Sequence, residues 1–140
     1  MERDRDRPTP NTVTAETLAR LAEQAWAARD SAYILGDTKV GCAALADDSR
    51  IFVGCNVEHR YRCHDVHAEV NAISSMVAAG ATGLVAIIVA AERERFTPCG
   101  SCLDWIFQFG GASCMVGYQS AKGGQLHTFT AQQLMPYYPQ

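Results

Sequence analysis

Two short stretches of this chain carry residue types that can do chemistry together: His67-Ala68-Glu69, and Pro98-Cys99-Gly100-Ser101-Cys102. Two cysteines separated by two residues, with one distant histidine, supply three ligands that suit a zinc ion keeping its fourth position open. An open fourth position is a catalytic arrangement. Glu69 lies two residues beyond the histidine, too close along the chain to be a convenient fourth ligand but well placed to reach a water on the metal. That makes it a candidate proton carrier. The plain alternative is a closed zinc site that staples the fold, drawing a fourth ligand from Cys55, Cys63 or His64; it leaves the acid beside the histidine unexplained. A reading without metal makes His67 and both cysteines ordinary core residues.

The pattern H-x-E followed by P-C-x-x-C is that of zinc deaminases, and the sequence resembles the cytidine deaminase family from about Val40 to its C-terminus. Val40-Gly41 followed by Cys42-Ala43-Ala44-Leu45 is similar to that family's first core strand. Gly54-Cys55-Asn56-Val57-Glu58 is similar to its ribose-binding strand end, and eight residues separate Glu58 from His67, as in the family. The resemblance implies a zinc-dependent hydrolytic deaminase of a cytosine nucleoside, with Zn2+ held by His67, Cys99 and Cys102. Glu69 is then the catalytic residue: it takes a proton from water, gives it to the ring nitrogen of the base, and later protonates the departing amine. Zinc's share is to bring the pKa of water down towards about 7. Main-chain groups around Ala68 and Cys99 would hold the base edge. Asn56 and Glu58, on one face of a strand because side chains alternate, would grip a sugar hydroxyl. Polar residues at an exposed strand end are the plain alternative for that pair.

Some positions depart from the family. Thr38 stands where the resemblance implies an aromatic against the base, and Leu103-Asp104 replaces the usual Arg-Gln pair after the second cysteine. The loop between Glu58 and His67 is basic, with His59, Arg60, Arg62 and His64, and is expected to be solvated or to contact another subunit. These changes bear on which nucleoside is the substrate more than on deamination. They bring in, as runner-up, a modified or antibiotic aminonucleoside of the kind blasticidin-type deaminases handle. A nucleic-acid deaminase is favoured only by the basic loop, and a non-catalytic zinc-binding module would have no use for Glu69. The resemblance further implies a homotetramer or dimer whose neighbouring subunits complete each pocket, with Tyr137 and Tyr138 at the C-terminus able to contribute.

The elements that must position these residues fit one domain. The chain has 140 residues, 48% apolar and 19% charged, enough to bury a core without staples. A net charge of −3 argues against a nucleic acid as obligatory partner. Thiolates that hold zinc must stay reduced, the N-terminus lacks the apolar stretch of a secretory signal, and no apolar run is of membrane-spanning length. The expectation is a cytoplasmic protein without a membrane partner, acting on a small-molecule nucleoside.

Residues 1–13 alternate charges and hold Pro8 and Pro10, and are expected to form a mobile tail with nothing to pack as core; residues 14–140 form the domain. Leu18, Leu21, Ala22, Ala25 and Trp26 recur at helical spacing behind Thr14, a candidate N-cap. Val40 to Ala46 and Arg50 to Cys55 read as a hairpin turned at Asp47-Asp48-Ser49. Asp65 is a candidate cap for a helix that carries His67 and Glu69 in its first turn and ends at Gly80. A strand from Leu84 to Ala91, a helix from Cys99 to Phe109, strands at Cys114 to Tyr118 and Gln125 to Phe129, and a short helix from Thr130 follow. Both metal-bearing segments thus fall at helix N-termini, where the dipole favours negative charge. Cys42 and Cys114 read as small buried residues. The order αββαβαββα predicts an α/β fold, a three-layer mixed sheet of about five strands with helices on both faces.

Overall fold

The computed structural model describes residues 7–139. Nine elements follow the expected order: α1 (Ala15–Arg29), β1 (Gly41–Ala46), β2 (Ile51–Cys55), α2 (Ala68–Ala78), β3 (Leu84–Ala90), α3 (Gly100–Gly110), β4 (Met115–Gln119), β5 (Leu126–Thr130) and α4 (Ala131–Leu134). The strands form one five-stranded sheet in the order β2-β1-β3-β4-β5. Only β3 and β4 run parallel, because α3 carries the chain back between them; every other neighbouring pair is antiparallel.

Three layers explain the apolar runs. β1 and β3 are buried along their whole length, as central strands must be when helices cover both faces. Alternation then sorts their side chains. Ala43, Leu45, Ala86, Ile88 and Ala90 face α1 and pack on Leu21, Ala22, Ala25 and Trp26. Cys42, Ala44, Ile87 and Val89 face the other way, onto Ala72, Ile73 and Met76 of α2 and Leu103, Ile106 and Phe107 of α3. Leu21 and Ile73 are fully buried, so each layer contributes core on the order of 1.5–3 kcal/mol per large side chain.

Local signals place the helix ends. Thr14 caps α1, its side chain accepting from the Thr17 N–H, and Thr130 caps α4 within a capping box with Gln133. Gly80 follows the end of α2 with φ 90°, and Gly111 closes α3 with φ 75°, a left-handed conformation that glycine adopts without steric cost.

Three expectations need correction. Asp65 does not cap α2: the N-cap is His67, and the Asp65 carboxylate instead accepts from the His59 N–H at 2.7 Å and from Arg62 Nε at 2.9 Å. β2 ends at Cys55, so Asn56 and Glu58 lie beyond the strand; extended pairing continues only as bridges from Val57 to Tyr33 and Val66. Of the expected tail, residues 1–6 lie outside the described residues, but Pro10–Thr12 form a 3₁₀ turn and Val13 packs against the α1 core.

Candidate active site

His67 and Cys99 are the N-caps of α2 and α3, and neither side chain makes a capping bond. Both helix starts therefore present a free side chain at the end where the dipole is positive. Cys102, in the first turn of α3, completes the group. His67 Nδ1 lies 3.3 Å from Cys102 Sγ and 3.5 Å from Cys99 Sγ, and the three donor atoms all fall within 4.8 Å of one another. Zn–S and Zn–N bonds at a tetrahedral angle put nitrogen and sulfur about 3.6 Å apart, so the spacing fits one zinc ion. Among the described residues no other histidine, cysteine or carboxylate joins the set. Cys55, Cys63 and His64 stay outside it, so the described residues do not close a four-ligand site.

The chemistry of the donors agrees. Burial, then the Glu69 carboxylate and Cys99, push the Cys102 thiol far above the usual thiol range. A sulfur so disfavoured as a thiolate becomes a ligand only when a cation supplies the opposing charge. Cys42 and Cys114 are fully buried, as expected, and burial is the largest cause that pushes their thiols up too.

Glu69 is buried in the first turn of α2. Its Oε2 lies 3.5 Å from Cys102 Sγ, which donates to it, yet it is not a member of the donor set. Burial holds its carboxyl above the ordinary carboxylate value, against opposing contributions from its own backbone N–H, Cys102 and His67. A carboxyl whose charged form burial disfavours is a stronger proton acceptor than a solvated one, as a proton carrier requires.

A cleft of about 530 Å³ opens over this group, and all the residues singled out in the sequence as substrate-facing line it: Thr38, Asn56, Glu58 and Ala68, together with His67, Glu69 and Cys99. Their polar groups are already engaged. Asn56 is buried; its Oδ1 accepts from the Val40 N–H at 2.9 Å and its Nδ2 donates to the Thr38 carbonyl at 3.0 Å. Glu58 Oε1 accepts from the N–H groups of Leu35 and Gly36 at 2.7 and 2.8 Å, and Oε2 accepts from Arg62 at 2.9 Å. The Gly36 and Leu35 N–H groups, with Arg62 behind them, hold the Glu58 carboxyl below the usual carboxylate range. One amide hydrogen of Asn56 and one lone pair of Glu58 Oε2 remain, a donor and an acceptor on residues that line the same cleft.

The cleft also holds residues that sequence reasoning missed: Arg93, Phe96 and Thr97, from the loop between β3 and α3, and Arg62 and Asp65 from the basic loop. A charged run, Glu92 to Arg95, between a fully buried strand and the Pro-Cys motif was the available signal for the first group. The basic loop folds on itself, with His59, Tyr61 and His64 rings in mutual contact and Arg60 over Tyr61. At the C-terminus Tyr138 stacks on Phe107 at 4.1 Å between centroids and its hydroxyl donates to Asp104, whereas Tyr137 is exposed.

Comparison with known proteins bears on the same residues. A family model described as the cytidine and deoxycytidylate deaminase zinc-binding region matches residues 15–118. The cytidine deaminase of Sporosarcina psychrophila is 32% identical over 121 residues, spanning 85% of this chain and 88% of that protein. Among solved structures, a cytidine deaminase from Burkholderia pseudomallei superposes with a TM-score of 0.78 at 32% identity, covering 89% of this chain and 98% of the other. A cytidine deaminase from Mycobacterium leprae gives 0.73 at 29% identity, covering 85% and 97%.

Proposed function

Because the chain belongs to the cytidine and deoxycytidylate deaminase zinc-binding family, we propose that it hydrolyses a cytosine nucleoside, cytidine or deoxycytidine, to the uracil nucleoside and ammonia. The observation that carries this reading is Glu69: a buried carboxyl, raised in pKa, 3.5 Å from one ligand sulfur but outside the ligand set, and lining the cleft. A structural zinc site has no need of such a group.

His67, Cys99 and Cys102 would hold the zinc, which when bound lowers the pKa of water and so makes a nucleophile available at neutral pH. Glu69 accepts a proton from the attacking water and delivers it to N3 of the base, which makes C4 electrophilic. The same carboxylate then takes the second proton from the hydroxyl added at C4 and gives it to the exocyclic amine, so that the C4–N bond breaks and ammonia leaves as the C4 carbonyl forms. One group works in both directions because burial raises its pKa, which makes the carboxylate a better base without removing its ability to give the proton back. The α2 start, with Ala68 at its first position, offers main-chain N–H groups that have no partner within the helix to the base edge. The free amide hydrogen of Asn56 and the free lone pair of Glu58 suit a sugar hydroxyl, which donates to one and accepts from the other.

A homo-oligomer, tetramer or dimer, belongs to this reading. Tyr33, Leu35, Val57, Tyr61 and Val66 are large apolar residues exposed near the cleft, and a neighbouring subunit laid over them would cover an apolar patch that water otherwise wets. Light scattering behind size exclusion tests it. No helix among the described residues is long and apolar enough to cross a membrane. All six cysteines are free, which suits the reducing cytoplasm. The function is tested by incubating zinc-loaded protein with cytosine, adenine and guanine nucleosides and their free bases. Ammonia released from cytidine or deoxycytidine supports the reading; release only from purines, or from none, overturns it.

A further inference from the structure

The basic loop between Glu58 and His67 brings one of its charges into the cleft. Arg62, at the start of the 3₁₀ turn Arg62–His64, lines the same cavity as Glu58 and Asp65. Two of its three nitrogens are held: Nε donates to Asp65 Oδ2 and Nη2 to Glu58 Oε2, both at 2.9 Å. No hydrogen bond among the described residues uses Nη1. The two carboxylates are 15% and 14% exposed whereas the arginine side chain is 58% exposed, so its anchors are sheltered while the guanidinium itself stays accessible.

The loop that carries this group is fixed by its own bonds. Val57 and Val66 exchange two backbone hydrogen bonds at its base, of 2.8 and 2.9 Å. Inside it, the His59 N–H donates to Asp65 Oδ1 at 2.7 Å and the Tyr61 N–H donates to His59 Nδ1 at 2.9 Å. A planar donor held in this way gives up little freedom when it binds.

Its place along the substrate follows from the oxygen it touches. Glu58 Oε2, assigned above to a sugar hydroxyl, is the oxygen that accepts from Arg62, so a cationic donor stands 2.9 Å from an anionic acceptor. Two hydroxyls on neighbouring carbons and on the same face of a five-membered ring match that pair: one donates to the carboxylate and the other accepts from the guanidinium. In a nucleoside only the 2′ and 3′ hydroxyls of ribose meet this description. Deoxyribose has one of the two, and arabinose sets them on opposite faces.

Resting on the nucleoside deaminase reading, we propose that Arg62 is a specificity-determining residue that, together with Glu58, reads the cis 2′,3′ diol and makes this chain selective for the ribonucleoside over the 2′-deoxyribonucleoside. Asp65 is its positioning residue, since by occupying Nε it fixes the plane of the guanidinium. An arginine that served only to lock the loop or to steady Glu58 would affect binding of every sugar alike, whereas a diol reader changes the ratio between sugars.

Calorimetric titration of the zinc-loaded protein with uridine, 2′-deoxyuridine and arabinosyluracil, the products from the corresponding cytosine nucleosides, reads the selection without any turnover. Uridine should bind about tenfold or more tighter than either of the others, because a hydrogen bond to a charged group is worth about that factor. Arg62→Ala should bring the ratio of uridine to 2′-deoxyuridine close to one. Arg62→Lys keeps the charge but not the fork that reaches both carboxylates; the ratio should fall there too, so it carries the test if the alanine variant does not fold. Asp65→Asn, which keeps an acceptor for the His59 N–H, should lower the ratio less than Arg62→Ala does. Equal binding of uridine and 2′-deoxyuridine by the wild type, binding of neither, or a ratio that substitution of Arg62 leaves unchanged overturns the proposal. Failure of the deaminase reading shows separately, as absence of ammonia from both cytidine and 2′-deoxycytidine with the wild-type protein.

Discussion

Gly54 packs so tightly on the first turn of α2 that a Cβ added to it would lie 2.6 Å from the Ala68 carbonyl oxygen and 2.5 Å from the Ala72 nitrogen. Both contacts are backbone, which cannot rotate away, and the Cys55 N–H donates to Asn71 Oδ1 at 3.0 Å beside them. β2 thus fixes the height of the helix that starts at His67 and carries Glu69. Gly54→Ala should cost about 1–3 kcal/mol by overpacking and, by lifting α2, weaken zinc binding about 10- to 100-fold. Thermal melts and competitive zinc titration check both parts; an intact zinc affinity would show that β2 does not set the site.

Glu58 ties the chain at Leu35 and Gly36 to the loop at Arg62 while keeping one lone pair for substrate. Glu58→Ala should therefore reduce the preference for nucleoside over free base by about tenfold or more, and also speed amide exchange at Leu35 and Gly36. Glu58→Gln keeps an acceptor for those two N–H groups and should protect them better than alanine does. Since the folded pKa of Glu58 is depressed, its contribution is present above the ordinary value of 4.5 and is lost as pH falls through the lowered one. Protection of the two amides, their exchange relative to the intrinsic rate at each pH, should accordingly fall as pH drops below the ordinary value of 4.5 and hold above it. Unchanged exchange in both variants would leave Glu58 without this second role.

Removing the metal should loosen the ends of two helices together. The side chains at both N-caps make no capping bond, so without zinc the starts of α2 and α3 lose the one link that joins their cap side chains. Zinc at a hundred times its dissociation constant adds about 2.7 kcal/mol. Chelation should lower the melting temperature by several degrees and zinc should restore it, whereas magnesium should not, because the donors are sulfur and nitrogen. A melting temperature indifferent to chelation would contradict the ligand assignment.

The metal group was legible because each part is local: two cysteines a helical turn apart, and a histidine two residues from its acid. Fold class was legible for a similar reason, since the continuous apolar runs of β1 and β3 require cover on both faces. The cap of α2 was misread because Asp65 has the right residue type for a cap but is drawn away by the His59 N–H and Arg62, contacts that depend on how the loop closes. Glu58 binds backbone groups more than twenty residues earlier, and Arg93 meets Thr38 across 55 residues. No spacing rule encodes either meeting. Only the fold brings them to one cleft, so Glu58 could be named in advance as a cleft residue from the resemblance, while its backbone partners and the presence of Arg93 beside Thr38 could not.

The most direct test of the account is zinc content and ammonia release measured on the same preparations of wild type and Glu69→Gln, with cytidine as substrate. The account predicts about one zinc per chain in both proteins, one ammonia per cytidine consumed by the wild type, and a rate about 10²- to 10⁴-fold lower in the variant. A variant that loses its zinc along with its activity, or that keeps its rate within a few-fold, would contradict the assignment of Glu69 as the proton carrier.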